Sequence, residues 1–192
     1  APMGDSNICL IGMMGCGKST AGGLVAGQLG EIFTDLDNLI TKEAGQSISE
    51  IFADQGERHF REMETRLLRA ACAAGGKIIA CGGGAVLSAD NRRTLKAQQT
   101  VYLAVSPGVL QGRLGSGTGR PLLDESAPML PQLEALLRQR EPLYRELGWA
   151  KNPPARQEAL KTMAQHPELI VRPLVLKGNT LLAGYDEDGL KA

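Results

Sequence analysis

Short apolar runs alternate with longer amphipathic stretches over the first 150 residues of the chain. Runs with the length and β-branched content of strands occur at residues 7–11, 32–35, 77–81 and 100–105. Apolar side chains recur at helical spacing in residues 18–29, 36–44, 57–74, 90–97 and 130–147, and residues 47–50 fit a capping box. Strands and helices that alternate at spacings too long for hairpins predict an α/β fold, a parallel sheet with helices on both faces.

The pattern changes at the Asn-Pro-Pro tripeptide of residues 152–154, which ends the preceding helix. Helical spacing returns at residues 157–164, and two strand-like runs follow at residues 169–176 and 180–183 around a turn. This order predicts a helix plus a β-hairpin packed on the main domain. The predicted division is residues 1–150 for the main domain and residues 151–192 for the appendage.

Composition narrows the classes of function. The chain is 43% hydrophobic and 22% charged, which excludes a disordered protein. The chain has 21 Lys and Arg residues and 21 Asp and Glu residues, so its net charge is zero. This balance gives no indication of binding to nucleic acid or to an anionic membrane. The sequence has neither an apolar run of the roughly 18 residues that a membrane span needs nor the pattern of a signal peptide. The four cysteines form no C-x-x-C motif, which favours reduced thiols. We expect a cytoplasmic monomer.

A glycine-rich segment follows the first predicted strand. Residues 12–19 match G-x-x-x-x-G-K-[ST], in which backbone N–H groups surround nucleotide phosphates at a helix N-terminus. In this motif the lysine, here Lys18, binds the β- and γ-phosphates. The hydroxyl of the next residue, Ser19, binds a Mg²⁺ ion. Since a predicted strand and a predicted helix flank the motif as it requires, the sequence predicts a phosphate-binding loop.

Candidate acceptor-side residues follow the next two strands. Asp35 and Asp37 end the second run, where alternation would direct both carboxylates to one edge, one for the Mg²⁺ shell and one to orient or deprotonate a hydroxyl. A helix N-cap with a solvated neighbour is the alternative. Three glycines at residues 82–84 allow close backbone approach to a ligand, or form a simple turn.

Three charged segments have ordinary explanations when each is taken alone. Glycines at residues 112–120, with Arg120, predict a lid over residues 112–124 that delivers a cation, and a flexible linker is the alternative. Residues 57–61 fit a solvated helix face. Arg140 fits a surface salt bridge.

Together these segments resemble the shikimate kinase family, in the order GMMGCGKST, DLD, GERHFR, GGGAV, GRPLL and RxPLY. The resemblance covers residues 7–149. It implies a P-loop NTPase of the nucleoside-monophosphate-kinase-like, three-layer fold. It also implies ATP-dependent phosphorylation of the 3-hydroxyl of shikimate in aromatic amino-acid biosynthesis, with ATP and Mg²⁺.

The resemblance further implies a role for each matching residue. Nucleotide contacts would come from Gly15, Cys16, Gly17, Lys18, Ser19, Thr20, Arg113 and Arg120. The Mg²⁺ ligands would be Ser19 and Asp35. Shikimate contacts would come from Asp37, Phe52, Phe60, Arg61, Gly82, Gly83, Gly84 and Arg140, with the two arginines on the carboxylate. Catalysis would rest on Lys18, Arg120 and Asp37, the last as the base.

About 45 C-terminal residues resemble the C-terminal part of the glutaredoxin-linked arsenate reductases, whose thioredoxin-like fold has Arg-Pro before a hairpin. Arg172 and Pro173 carry this likeness, Arg172 with a structural role and Pro173 as a candidate cis proline. Because none of the four cysteines matches that family's nucleophile, reductase activity is not expected. An impaired kinase-like binding protein, or a hybrid with this tail, is the alternative function. A kinase for another hydroxylated acceptor would lack the paired arginines.

Overall fold

The fold comes from a computed structural model of the chain. It describes residues 7–115, 121–124 and 126–148, together with the backbone of residues 174–177 and 180–183. No helix in this described part has the length and apolar character needed to cross a membrane.

A four-stranded parallel sheet lies at the centre of the protein. Its strands are β1 (Ile8–Ile11), β2 (Ile32–Asp35), β3 (Lys77–Ala80) and β4 (Gln99–Tyr102). In space their order is β2-β3-β1-β4, and Ile8 is paired with Ile78 on one side and with Gln99 on the other. All of β1 is buried, as an apolar strand between two neighbours and two helical layers should be. The predicted parallel α/β sheet is confirmed.

Helices cover the sheet and supply most of the remaining core. They are α1 (Lys18–Leu29), α2 (Leu36–Ala44), α3 (Ile48–Asp54), α4 (Gly56–Ala73), α5 (Ala89–Lys96), α6 (Pro107–Leu114) and α7 (Met129–Gly148). The predicted α1 and α2 have the observed bounds, and α4, α5 and α7 agree within one residue at each end. Ser47 and Glu50 form the predicted capping box at the start of α3.

Helix α6 corrects one prediction. Gly112 and Arg113 were expected at the start of a loop, but both lie in this helix. Pro107 occupies its first turn, where the missing N–H costs nothing, and Leu110 and Leu114 are buried beneath it. Two buried leucines one turn apart outweigh the low helix propensity of Gly112. Any lid is therefore shorter than predicted.

The buried Asn7 side chain, directly before β1, links the start of β3 with the end of α4 and the segment before β4. Its Nδ2 donates to the Cys72 carbonyl at 2.8 Å and to Gln98 Oε1 at 2.9 Å, and its Oδ1 accepts from the Lys77 N–H at 3.0 Å. A buried amide with these partners is satisfied rather than costly. It therefore fixes the starts of β1 and β3 relative to α4.

The described backbone near the C-terminus forms an antiparallel hairpin. Its strands are β5 (Leu174–Lys177) and β6 (Thr180–Ala183), with Leu174 opposite Ala183. The hairpin agrees with the prediction. The predicted helix over residues 157–164, as well as Arg172 and Pro173, lies outside the described residues.

Candidate active site

Three loops meet at the carboxyl edge of the sheet. They are the phosphate loop (residues 12–17) after β1, the turn from β2 into α2, and the glycine triplet (residues 82–84) after β3. Since β2, β3 and β1 are adjacent in the sheet, their carboxyl ends lie side by side and the loops converge.

Two cavities open among these loops. One, the phosphate-loop cavity, has a volume of about 400 Å³, and the other, the arginine cavity, about 150 Å³. Met14, Asp37 and Gly83 line both of them. The two cavities therefore lie next to each other, on either side of a boundary that Asp37 helps to form.

The phosphate loop presents backbone N–H groups and one ammonium group. Gly17, in the left-handed region at φ +101°, precedes α1 and provides no side-chain cap for its first N–H groups. Lys18 is largely buried, and its Nζ donates to the carbonyls of Gly12 at 3.0 Å and Met13 at 2.8 Å. A helix N-terminus with an adjacent ammonium group is a binding site for phosphate.

Asp35 acts as a helix cap and also contacts the phosphate loop. Its Oδ1 accepts from the N–H groups of Asp37 at 3.0 Å and Asn38 at 3.2 Å, which makes it the N-cap of α2. Its Oδ2 accepts from the Ser19 hydroxyl at 2.5 Å. The N-cap alternative is thus correct for Asp35, yet the carboxylate still faces the loop.

The position of Asp37 corrects the strand argument. Strand β2 ends at Asp35, so Asp37 lies in the first turn of α2 and not in a strand. Strand alternation therefore does not explain its direction. The turn into the helix nevertheless brings Asp37 to the wall of both cavities.

The oxygen donors at the loop fit a magnesium ion. Ser19 supplies a hydroxyl and Asp35 a carboxylate, both hard ligands. Within the described ranges no three His, Cys, Asp or Glu side chains form a cage for a metal. Mg²⁺ typically takes one or two protein oxygens and completes its shell with waters and substrate phosphates, so this small donor set suits it.

Four other residues are predicted to contact the nucleotide, and they do not all line the same cavity. Thr20 and Arg113 line the phosphate-loop cavity, and Arg113 Nη1 lies 3.4 Å from the Gly15 carbonyl oxygen and 3.3 Å from that of Cys16. The Cys16 side chain is buried, 3.6 Å from Lys18 Nζ. Arg120 lies outside the described residues.

The arginine cavity joins aromatic walls with charged groups. The rings of Phe52 and Phe60 lie 4.9 Å apart, centroid to centroid. Arg61 comes from α4 and Arg140 from α7, so the two guanidinium groups approach from separate helices. The complete lining is Met14, Asp37, Ile48, Phe52, Phe60, Arg61, Glu64, Gly82, Gly83, Gly84, Pro121, Leu122 and Arg140.

Glu64 orients Arg61 from inside the protein. Its Oε2 accepts from Arg61 Nη1 at 3.0 Å, while Glu57 Oε1 accepts from Arg61 Nη2 at 2.9 Å. Burial raises the pKa of the Glu64 carboxyl, and the Arg61 guanidinium offsets only part of this rise. Sequence reasoning missed Glu64. The available signal was a charge on the apolar face of α4, four residues from both Phe60 and Leu68.

Arg140 is buried to 2% exposure, and its Nε and Nη1 have no hydrogen-bond partner among the described residues. A buried guanidinium with unpaired N–H groups is costly unless a ligand completes it. Arg140 therefore marks the arginine cavity as a binding site for an anion.

The glycine triplet packs directly on these charges. A Cβ at Gly82 would lie 2.5 Å from Glu64 Oε1, and one at Gly84 would lie 2.5 Å from both terminal nitrogens of Arg61. Only glycine lets the backbone approach so closely. The triplet is therefore more than a simple turn.

A model of the shikimate kinase family matches residues 14–168, well over half of the chain. The chain belongs to the shikimate kinase family. A shikimate kinase from Trichormus variabilis is 46% identical over 138 residues, which are 72% of this chain and 76% of the relative. One from Geobacter sulfurreducens is 44% identical over 144 residues, 74% of this chain and 79% of the relative.

Solved structures agree with this membership. Shikimate kinase from Acinetobacter baumannii, in complex with shikimate, superposes with a TM-score of 0.75 at 35% identity, covering 85% of this chain and 93% of that one. The shikimate kinase resemblance predicted from the motifs is thereby confirmed, as is the P-loop kinase fold. The arsenate-reductase-like tail stays a prediction.

Proposed function

We propose that this shikimate kinase family protein transfers the γ-phosphoryl group of ATP to the 3-hydroxyl of shikimate, giving shikimate 3-phosphate and ADP in aromatic amino-acid biosynthesis. One observation carries the proposal: a phosphate-binding loop and an anion-binding arginine pair line adjacent cavities with Asp37 between them. This is the arrangement that phosphoryl transfer to a hydroxylated carboxylic acid requires. An impaired binding protein is not favoured, because the phosphate loop, Asp37 and the arginine pair are all present.

On the nucleotide side, residues 15–20 bind the phosphates of ATP, and Arg113 contacts the nucleotide beside the loop. Lys18 stabilises the charge on the β- and γ-phosphates. Ser19 and Asp35 hold Mg²⁺, which neutralises phosphate charge when bound. Arg120, predicted to reach the phosphates from a lid, would add a further cation.

On the acceptor side, Arg61 and Arg140 bind the shikimate carboxylate. Phe52 and Phe60 pack against the ring, and the glycine triplet lines its edge. Asp37 contacts the acceptor hydroxyl and accepts its proton as the oxygen–phosphorus bond forms and the bond to the ADP oxygen breaks. The protein acts by alignment and charge stabilisation, with little covalent chemistry of its own.

We propose the domain division at residue 150 on the change of sequence pattern there; the family match continues to residue 168. The arsenate-reductase-like tail is proposed as a structural appendage without reductase activity. The monomeric state, the cytoplasmic location and the absence of nucleic-acid binding stay predictions of the sequence.

The direct test is coupled ADP release with ATP and Mg²⁺, with and without shikimate. Shikimate-dependent ADP formation supports the proposed function. ADP release that does not respond to shikimate, or that responds equally to hydroxylated compounds without a carboxylate, contradicts it.

Arg61→Lys is expected to raise the shikimate KM about 10- to 100-fold with a smaller change in kcat. Lysine keeps the charge but loses the planar fork that can bind a carboxylate while contacting Glu57 and Glu64. The check is steady-state kinetics with varied shikimate. Arg58→Lys is the matched control, on the same helix and 91% exposed. An unchanged shikimate KM in Arg61→Lys removes the assigned role.

Gly84→Ala is expected to raise the shikimate KM about 10-fold, because the new Cβ displaces the Arg61 guanidinium from its place. The displaced guanidinium also moves away from the buried Glu64 carboxylate, so we expect the melting temperature to fall as well. Kinetics and thermal melts measure the two effects. Gly27→Ala, in α1 with open space around it, is the control. A loss of stability without a change in KM would contradict the argument.

A further inference from the structure

One buried hydroxyl group touches both halves of the site. Tyr144 lies on α7, one turn after Arg140, and is fully buried. Its hydroxyl donates to the carbonyl of Gly83 and lies 3.8 Å from the sulfur of Met13 in the phosphate loop. The Arg140 guanidinium faces the same hydroxyl and partly offsets the rise that burial causes in the pKa of Tyr144. The phenol therefore stays protonated as a donor.

The ring that carries this hydroxyl is held in place. It stacks on Tyr102 of β4 with centroids 5.0 Å apart and an interplanar angle of 21°. Because this ring is fully buried and stacked, close packing holds its hydroxyl in place relative to the sheet.

The hydrogen bond from Tyr144 to the Gly83 carbonyl also fixes the direction of the neighbouring N–H group. The Gly83 carbonyl and the Gly84 N–H belong to one planar trans peptide, so anchoring the first fixes the N–H on the opposite side. Gly84 also packs on Arg61, and a Cβ at Gly83 would lie 3.2 Å from the Met14 nitrogen. The orientation of this peptide thus sets the position of the glycine triplet between the phosphate loop and Arg61.

We propose that Tyr144 is a positioning residue for the acceptor. Its hydroxyl holds two groups at fixed positions relative to the phosphate loop. They are the peptide between Gly83 and Gly84 and the Arg140 guanidinium. The carboxylate-binding groups are then at a fixed distance from the phosphoryl donor. The inference rests on the proposed function.

The test compares Tyr144→Phe with Tyr102→Phe. Each variant removes one phenol hydroxyl and keeps the stacked ring, but only the first loses the bond to Gly83. We expect Tyr144→Phe to raise the shikimate KM about 10-fold and to lower kcat several-fold, with the ATP KM changed less than about twofold. Tyr102→Phe should leave all three constants within about twofold.

A merely structural role would give a different result. If Tyr144→Phe lowers the melting temperature and leaves the shikimate KM unchanged, or if it fails to fold while Tyr102→Phe folds, the proposal is overturned. A parallel rise in the shikimate and ATP KM values overturns it as well. If the wild-type protein shows no shikimate-dependent turnover, the proposed function fails. The inference is then decided by calorimetric titration of shikimate into the wild-type protein and both variants.

Discussion

Lys18→Ala should lose shikimate-dependent ADP release, with kcat reduced by at least about 10² to 10³-fold. The Lys18 ammonium is buried in the phosphate loop, where its Nζ contacts the carbonyls of Gly12 and Met13. In this position the ammonium group can stabilise the negative charge that develops on the phosphoryl group during transfer. In a site shielded from water that interaction is far stronger than on a surface.

The measurement is coupled ADP release at saturating ATP and shikimate, together with calorimetric titration of shikimate. Binding of shikimate should persist in Lys18→Ala, since Lys18 does not line the arginine cavity. The control is Lys42→Ala, which removes an exposed lysine of α2 away from both cavities. Turnover within tenfold of the wild-type value in Lys18→Ala would remove this lysine from the mechanism.

Asp37→Asn should reduce kcat by about 10² to 10⁴-fold, with a smaller change in the shikimate KM. Asp37 lines both cavities, so its carboxylate lies between the two reactants. Asparagine has nearly the same shape and retains a hydrogen-bonding oxygen, but it cannot accept the proton of the acceptor hydroxyl. Orientation would therefore survive while proton transfer is lost.

The split between kcat and KM decides the role of Asp37. A rise in the shikimate KM without loss of kcat would make Asp37 a binding group and not the base. Asp54→Asn, an exposed aspartate at the end of α3 outside both cavities, is the matched control. It should retain wild-type kinetics.

The charges that line the arginine cavity explain the role of the Glu64 carboxylate. Arg61, Arg140, Glu64 and Asp37 line the cavity before any substrate carboxylate arrives, and Arg61 is paired with Glu64 and with Glu57. Without Glu64, two guanidinium groups would share a small cavity with one carboxylate, at a large desolvation cost. Glu64 holds Arg61 through one oxygen and leaves Arg140 with unpaired N–H groups for a ligand.

Local pattern was enough for most of the secondary structure. Helical spacing of apolar residues gave the bounds of α1, α2 and α4 within one residue. Helices α2 and α4 are amphipathic, whereas α1 buries Lys18 and leaves Leu24 exposed. For the short α3 the sequence predicted only the capping box at its start, and α6 was not predicted. With seven and eight residues they are too brief for a clear period, and they are held by caps and by packing.

Sequence by itself determined the chemistry that contiguous residues carry. The phosphate loop is a local device, because its glycines, the Lys18 ammonium group and the Ser19 hydroxyl all lie within one loop and the first turn of the helix that follows. The glycine triplet was likewise visible as a place of close approach.

Apart from the family resemblance, which already paired Arg61 with Arg140, only the tertiary structure decided which distant residues act together. Glu64, Arg140 and Tyr144 come from two helices, and they meet the glycine triplet because the order of strands places β3 beside β1. Nothing local in α7 distinguishes a buried Arg140 from a surface salt bridge, and nothing in α4 shows what Glu64 faces. Burial and partner choice depend on packing between elements, and that is a property of the folded chain rather than of any segment.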